Sequence, residues 1–214
     1  MKITKYPQSH LVIEKDGKKL IIDPGYLTAK AGFTPEQFQD ADIYLITHQH
    51  ADHLDPENIK QIIQDKPVYA NSDVIAKLIE VGVESGIEVQ HLEEFKSGGF
   101  KIKAVNLPHF PTPNGSVPPP NTGFLIDGIF FHSGDGMVLH DEVFADNASI
   151  ALGMPNVSES SIKNVREMLI KLDAKAYIPI HYDAYPANPH DVEQQLDDLA
   201  DVIILKDKES VEIG

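Results

Sequence analysis

Apolar residues along the chain switch between a period of two, a helical period and short unbroken runs, and each switch predicts an element. Residues 11–14 and 20–23 are short β-type runs on either side of Asp16-Gly17, a strong hairpin signal, and Asp23-Pro24-Gly25 ends the second. Ile43-Tyr44-Leu45-Ile46 reads as a buried strand. Asp55-Pro56-Glu57 then reads as N-cap, first-position proline and acidic first turn of a helix carrying Ile59, Ile62 and Ile63. A strand at 68–70, a helix from about Ser72 and a strand at 87–90 follow. Residues 100–107 set Phe100, Ile102 and Ala104 against Lys101 and Lys103, the alternation of a half-buried strand. Residues 122–126 and 129–131 predict a hairpin through Asp127-Gly128, followed by the turn Ser133-Gly134-Asp135-Gly136.

Further on, 150–152 predicts a strand, and 158–172 an amphipathic helix with Ile162, Val165, Leu169 and Leu172 on one face. A strand at 176–180, a helix near 191–199 and β segments at 202–205 and 210–213 close the chain. The proline-rich segment 108–120 lies between strands and reads as an ordered surface loop. This order suits two sheets packed together with helices outside, as one domain over residues 1–214.

The chemistry concentrates just past the buried strand, in His48-Gln49-His50-Ala51-Asp52-His53. Three imidazoles and a carboxylate are good ligands for a borderline divalent ion such as zinc. Helical ligand pairs recur at i and i+4, whereas His48 and His50 are two apart, a spacing that shares a side only in extended backbone. His48 and His50 can therefore close on one ion, while Asp52 and His53, where the chain turns away, can reach a second.

Composition narrows the partners. The absence of cysteine excludes disulfides and thiolate ligands, so a metal must be held by imidazole nitrogen and carboxylate oxygen, which admits Mn2+ or Fe2+ beside Zn2+. A net charge of −15 and a single arginine, Arg166, disfavour a nucleic-acid partner, since phosphates need a basic footprint. No stretch approaches the roughly 18 apolar residues of a membrane span, and the N-terminus shows no secretory apolar region. A cytoplasmic protein acting on a small molecule is expected; a homo-oligomer is compatible with this, and neither nucleic acid nor membrane is an expected partner.

A paired-metal site needs further ligands at strand ends, and His109, Asp135 and His181 stand there. Together with His48-x-His50-x-Asp52-His53, these residues in this order resemble the metallo-β-lactamase superfamily. Ile178-Pro179-Ile180-His181-Tyr182, with Tyr185-Pro186, is similar in particular to the small metal-dependent hydrolases related to ascorbate-6-phosphate lactonase. The resemblance implies an α/β fold, a four-layer αββα sandwich with two divalent metal ions between the sheets. Carried over, it implies His48, His50 and His109 on the first ion, Asp52, His53 and His181 on the second, and Asp135 bridging. Asp23 resembles the carboxylate that orients a ligand imidazole. Pro7-Gln8-Ser9-His10 stands where that branch often carries a Gly-His pair, and residues 137–156 match no known pattern, so the substrate stays open.

The remaining histidines divide by position. His91 and His190 read as surface or structural residues, while His10, His132 and His140 are candidates to line the cleft. The implied reaction is attack by a metal-bridging hydroxide on an ester, lactone, thioester, amide or phosphodiester. Asp52 would hand a proton to the leaving group, with Tyr182 and His140 as lesser candidates for contact with the developing oxyanion. A redox branch of the superfamily is expected to carry Glu at the position of His50, which favours hydrolysis here. The rival from another class is a non-catalytic metal-binding or ligand-sensing protein on the same fold.

Overall fold

The strands form because their side chains alternate between two apolar environments, one on each face of a sheet. A computed structural model describes residues 1–112, 115–152, 159–183 and 188–214. One sheet contains β1 (Lys2–Lys5), β2 (Leu11–Lys15), β3 (Lys18–Ile22), β4 (Ile43–Ile46), β5 (Val68–Ala70) and β6 (Gly86–Glu88) in that spatial order. The second runs from β7 (Glu94–Ser97) through β8 (Phe100–Leu107), β9 (Asn121–Ile126), β10 (Phe130–His132), β11 (Asn147–Ala151) and β12 (Ala176–Ile180) to β13 (Asp201–Val202). β14 (Ser210–Glu212) returns to pair with β1 at the edge of the first sheet. Each sheet is antiparallel on one side and parallel on the other, the change falling at β3–β4 and at β10–β11.

Between the sheets lie Leu11, Ile13, Leu20, Ile22, Ile43 and Leu45, against Ile102, Ala104, Phe124, Phe130, Ile178 and Ile180. The intervening residues face outward. Ile21, Tyr44 and Ile46 pack on Ile59, Ile62 and Ile63 of α2 (Ile59–Ile63) and on Val74 and Leu78 of α3 (Ser72–Glu80). Val105, Phe131, Ile150 and Tyr177 meet Ile162, Val165, Leu169 and Leu172 of α4 (Glu159–Leu172) and Val192 and Leu196 of α5 (His190–Leu196). The layers are therefore helix, sheet, sheet, helix, as expected. β4 is apolar throughout because both of its faces are covered. Tyr44 fits this by donating its hydroxyl to Phe38 O (2.6 Å) or Ile62 O (2.9 Å).

Several elements differ from the sequence pattern for identifiable reasons. β1, between β14 and β2, and β7, at the edge of the second sheet, are half or more polar in sequence, and α1 (Tyr26–Lys30) is too short to show a helical period. β11 begins at Asn147, because Asn147-Ala148-Ser149 are small residues held between two parallel neighbours. The expected strand at 87–90 is displaced to β6, and the segment at 202–205 contributes only Asp201–Val202. Asp55 does cap: its Oδ1 accepts from Glu57 N (3.0 Å) and Asn58 N (3.3 Å), but an irregular turn precedes α2. Among the described residues no helix is long and apolar enough to cross a membrane.

Leu45 is wholly buried between the sheets. Leu45→Ala should lower stability by about 2–5 kcal/mol in urea unfolding; a loss below about 1 kcal/mol would contradict this packing.

Candidate metal centre

β4 delivers Thr47 and His48 at the C-terminal end of a parallel strand pair. The strand ends at Ile46 and the chain already bends at Gln49 and His50, so the extended backbone expected through His50 is not formed. The His50 carbonyl accepts from His53 N (2.9 Å) and Leu54 N (2.8 Å), and the turn runs on through Asp52. Gly25 makes that turn fit: a Cβ there would lie 1.8 Å from the Asp52 carbonyl oxygen. From the opposite sheet come His109 beyond β8, Asp135 beyond β10 and His181 beyond β12. His109 pairs with Gly136 in an isolated bridge, and Phe110 N donates to Asp135 O (3.0 Å), so these two loops hold each other. Gly134 needs its positive φ of 54°, and a Cβ there would fall 2.5 Å from Asn121 Oδ1, the atom that accepts from Asp135 N (3.0 Å).

The seven side chains converge as two groups, His48, His50, His109 and Asp135 in one and Asp52, His53 and His181 in the other, with possible ligand atoms within 4.8 Å in each. His50 Nδ1 lies 3.2 Å from both His48 Nε2 and His109 Nε2. A tetrahedral ion with nitrogen ligands at 2.0–2.1 Å sets its ligands about 3.3 Å apart, so this spacing fits a metal. Asp135 lies between the groups. Its Oδ1 is 3.2 Å from His53 Nε2, and its Oδ2 is 3.2 Å from His181 Nε2, 3.6 Å from His109 Nε2 and 3.8 Å from His48 Nε2. His53 Nε2 and Asp135 Oδ1 are buried and, apart from their ion-pair contact with each other, find no hydrogen-bond partner among the described residues, as atoms facing an ion would.

For His109, His53 and His48, hydrogen bonds on the far side of the ring set its proton. His109 Nδ1–H donates to Phe110 O (2.6 Å), which leaves Nε2 with its lone pair toward the group. His53 Nδ1–H donates to Asp23 Oδ2 (2.7 Å). Thr47 Oγ1 donates to the same oxygen (2.7 Å) and can accept from His48 Nδ1 (3.0 Å). Burial pushes His48 well below the ordinary imidazole value, keeping it neutral and able to ligate. Burial opposes protonation of His53 and His181 too, but Asp135 and the neighbouring carboxylates outweigh it; His53 is raised well above its ordinary value and His181 to about 9. Burial alone would raise Asp52 and Asp135, yet the adjacent imidazoles hold both below the usual carboxylate range.

The other candidates separate cleanly. Asp23 sits where the sequence suggested, against His53. His132 is buried but outside both groups; its Nδ1 meets Ser149 Oγ (2.7 Å) and its Nε2 lies 3.4 Å from Asp23 Oδ2. His10 belongs to the outer packing, with Nδ1 2.9 Å from Thr28 Oγ1 and its ring on Tyr6 and Phe38. Tyr182 donates its hydroxyl to Leu205 O (2.9 Å), and His140 is exposed and joins neither group. His91 and His190 are exposed, as expected. Tyr185-Pro186 and residues 153–156 lie outside the described residues, as do 113–114 of the proline-rich loop. Sequence reasoning missed Thr47, Asn121 and Gln8, polar residues whose partners are remote in the chain; Gln8 Nε2 donates to Asp52 Oδ2 (3.1 Å).

Two outcomes follow from this geometry. Asp23→Asn should weaken divalent-ion affinity about 10–100-fold by isothermal titration, because it misorients His53; unchanged affinity would remove Asp23 from the account. In metal-free protein, the folded pKa of His181 lies above its unfolded value of about 6.5. Its stabilisation is therefore complete below about 6.5 and lost as pH rises through about 9. Metal uptake in that interval should release protons, read by calorimetry in buffers of different ionisation heat; no release would contradict the protonated state.

Comparison with known proteins agrees with this geometry. A family model described as "Beta-lactamase superfamily domain" matches residues 2–181. A UPF0173 metal-dependent hydrolase of Pyrococcus abyssi is 27% identical over 213 residues, covering 92% of each chain. Igni18, a metallo hydrolase of Ignicoccus hospitalis, superposes with a TM-score of 0.77 at 22% identity, covering 98% of this chain and 97% of its own. The metallo-beta-lactamase fold protein YhfI of Bacillus subtilis gives 0.76 at 17% identity, covering 99% of both. With its two sheets, outer helices and strand-end cluster, the chain belongs to the beta-lactamase superfamily and has the metallo-β-lactamase fold.

Proposed function

We propose that this protein is a metal-dependent hydrolase whose His48, His50 and His109 hold one divalent ion and whose Asp52, His53 and His181 hold a second, with Asp135 shared. The observation that carries this reading is the position of Asp135, whose two oxygens reach toward imidazoles of both groups. The donor set, imidazole nitrogen with carboxylate oxygen, suits Zn2+ and accommodates Mn2+ or Fe2+. Two such ions would supply a hydroxide at neutral pH and polarise the oxygen on which negative charge gathers.

The chain's own residues divide the remaining work. His48, His53 and His181 are shielded from water, whereas the Asp52 side chain is 21% exposed. Asp52 is thus the acidic member best placed to exchange a proton with a bound molecule. Because it is held as a carboxylate, it must take a proton before it can return one to a leaving group. The substrate is a small molecule with an ester, lactone, thioester, amide or phosphodiester bond, met in the cytoplasm. The relatives named metal-dependent hydrolases support this reading.

His48→Ala and Asp135→Ala should each reduce bound metal and abolish turnover of a responsive compound from an ester, lactone and phosphodiester panel. Metal analysis and initial rates check this, and retained turnover in either variant would contradict it. A wild-type protein that binds metal and turns over nothing would favour the sensing protein instead.

A further inference from the structure

Gln8 is fully buried and has a φ of 65°, a left-handed conformation that costs a residue with a Cβ. It lies in the tight turn between β1 and β2, closed by Tyr6 N to His10 O (2.9 Å) and His10 N to Pro7 O (3.3 Å). Glycine would fill that turn without strain. Strain kept at such a place directs attention to what the side chain reaches.

Its surroundings hold it on three sides. Gln8 N donates to Asp183 Oδ2 (2.7 Å), and the same oxygen receives Lys5 Nζ (2.8 Å), whose side chain is wholly buried. Gln8 O accepts from His181 N (3.2 Å), another non-glycine residue in left-handed conformation, at φ 63°. Gln8 Nε2 donates to Asp52 Oδ2 (3.1 Å), the atom that lies 3.2 Å from His181 Nε2 and 3.9 Å from His53 Nε2. The amide must present nitrogen to the carboxylate, since the flipped form would oppose two oxygens. Its Oε1 then stays buried with no hydrogen-bond partner among the described residues. A buried amide left half-satisfied is expensive, so the bond to Asp52 is what it is kept for.

We propose that Gln8 is a positioning residue for the second ion. Its side chain fixes Asp52 Oδ2, and its carbonyl fixes the backbone of His181, so two of the three members of that group are set before an ion arrives. Its hydrogen bonds reach no member of the group formed by His48, His50 and His109. The proposal rests on the two-ion reading above.

The test uses the full chain, stripped with chelator and titrated with Co2+, with calorimetry and cobalt absorption recorded together. Gln8→Gly removes the amide and relieves the left-handed backbone, while Gln8→Asn tolerates that backbone but is one methylene too short. Both should keep wild-type affinity for one ion and lose about 10–100-fold for the other, the event that Asp52→Ala removes. Metal-free Gln8→Gly should unfold at a temperature equal to or above wild type, an outcome that a purely structural role does not give. Wild-type affinity for both ions in both variants, or equal weakening at both, would overturn the proposal. Wild-type protein that takes up fewer than two ions would instead overturn the two-ion reading itself, and this proposal with it.

Discussion

One buried carboxylate, Asp23, organises the cleft end of both sheets. It stands just past β3 at a φ of 50° and accepts from Thr47 N (2.8 Å), Thr47 Oγ1 (2.7 Å) and His53 Nδ1 (2.7 Å), with His132 Nε2 of the other sheet 3.4 Å away. Burial would raise its pKa, but His53 and His132 hold it well below the usual carboxylate range. An isolated buried carboxylate costs several kcal/mol, roughly the scale of a domain's whole stability. These donors offset that cost only if β3, the residues after β4 and the end of β10 stay in register. Thr47 strengthens the same junction through its carbonyl, which accepts from Thr122 N (2.9 Å) in the second sheet and from Asn71 Nδ2 (3.0 Å) at the cap of α3.

The chemistry follows from that constraint. Once Asp23 and Thr47 settle the outward nitrogens of His53 and His48, the inward nitrogens are aimed at the space between the sheets. The second sheet supplies His109, Asp135 and His181 from three separate strand ends, so the site exists only when both sheets are assembled. Asp52 and Asp135 stay ionised beside raised imidazoles. A pair of divalent ions would replace the imidazole protons with larger fixed charges, which suits a cleft meant to stabilise developing negative charge.

The sequence exposed the parts of this arrangement that are local. Ile43-Tyr44-Leu45-Ile46 marked the doubly covered strand, and the density of His48, His50, Asp52 and His53 marked the ligand-bearing segment after it, although that segment bends from Gln49 onward instead of staying extended. His109, Asp135 and His181 stood out by their places at strand ends and by family resemblance; nothing local to each would have distinguished them from His91 or His190. The polar strands β1 and β7 were hidden because their stability comes from neighbours rather than from their own side chains. Gln8 was hidden for the same reason, since its partners Asp52, His181 and Asp183 lie 44 to 175 positions away. Tyr182 shows the converse: its position next to His181 suggested contact with an oxyanion, whereas its hydroxyl donates to the remote Leu205 carbonyl, which no local pattern announces.

The most direct measurement is anomalous diffraction from crystals of the protein grown with its native metal, recorded on both sides of that metal's absorption edge. The account predicts two peaks flanking Asp135, one among His48, His50 and His109 and the other among Asp52, His53 and His181. No peak at these side chains, or a single peak away from Asp135, would contradict it.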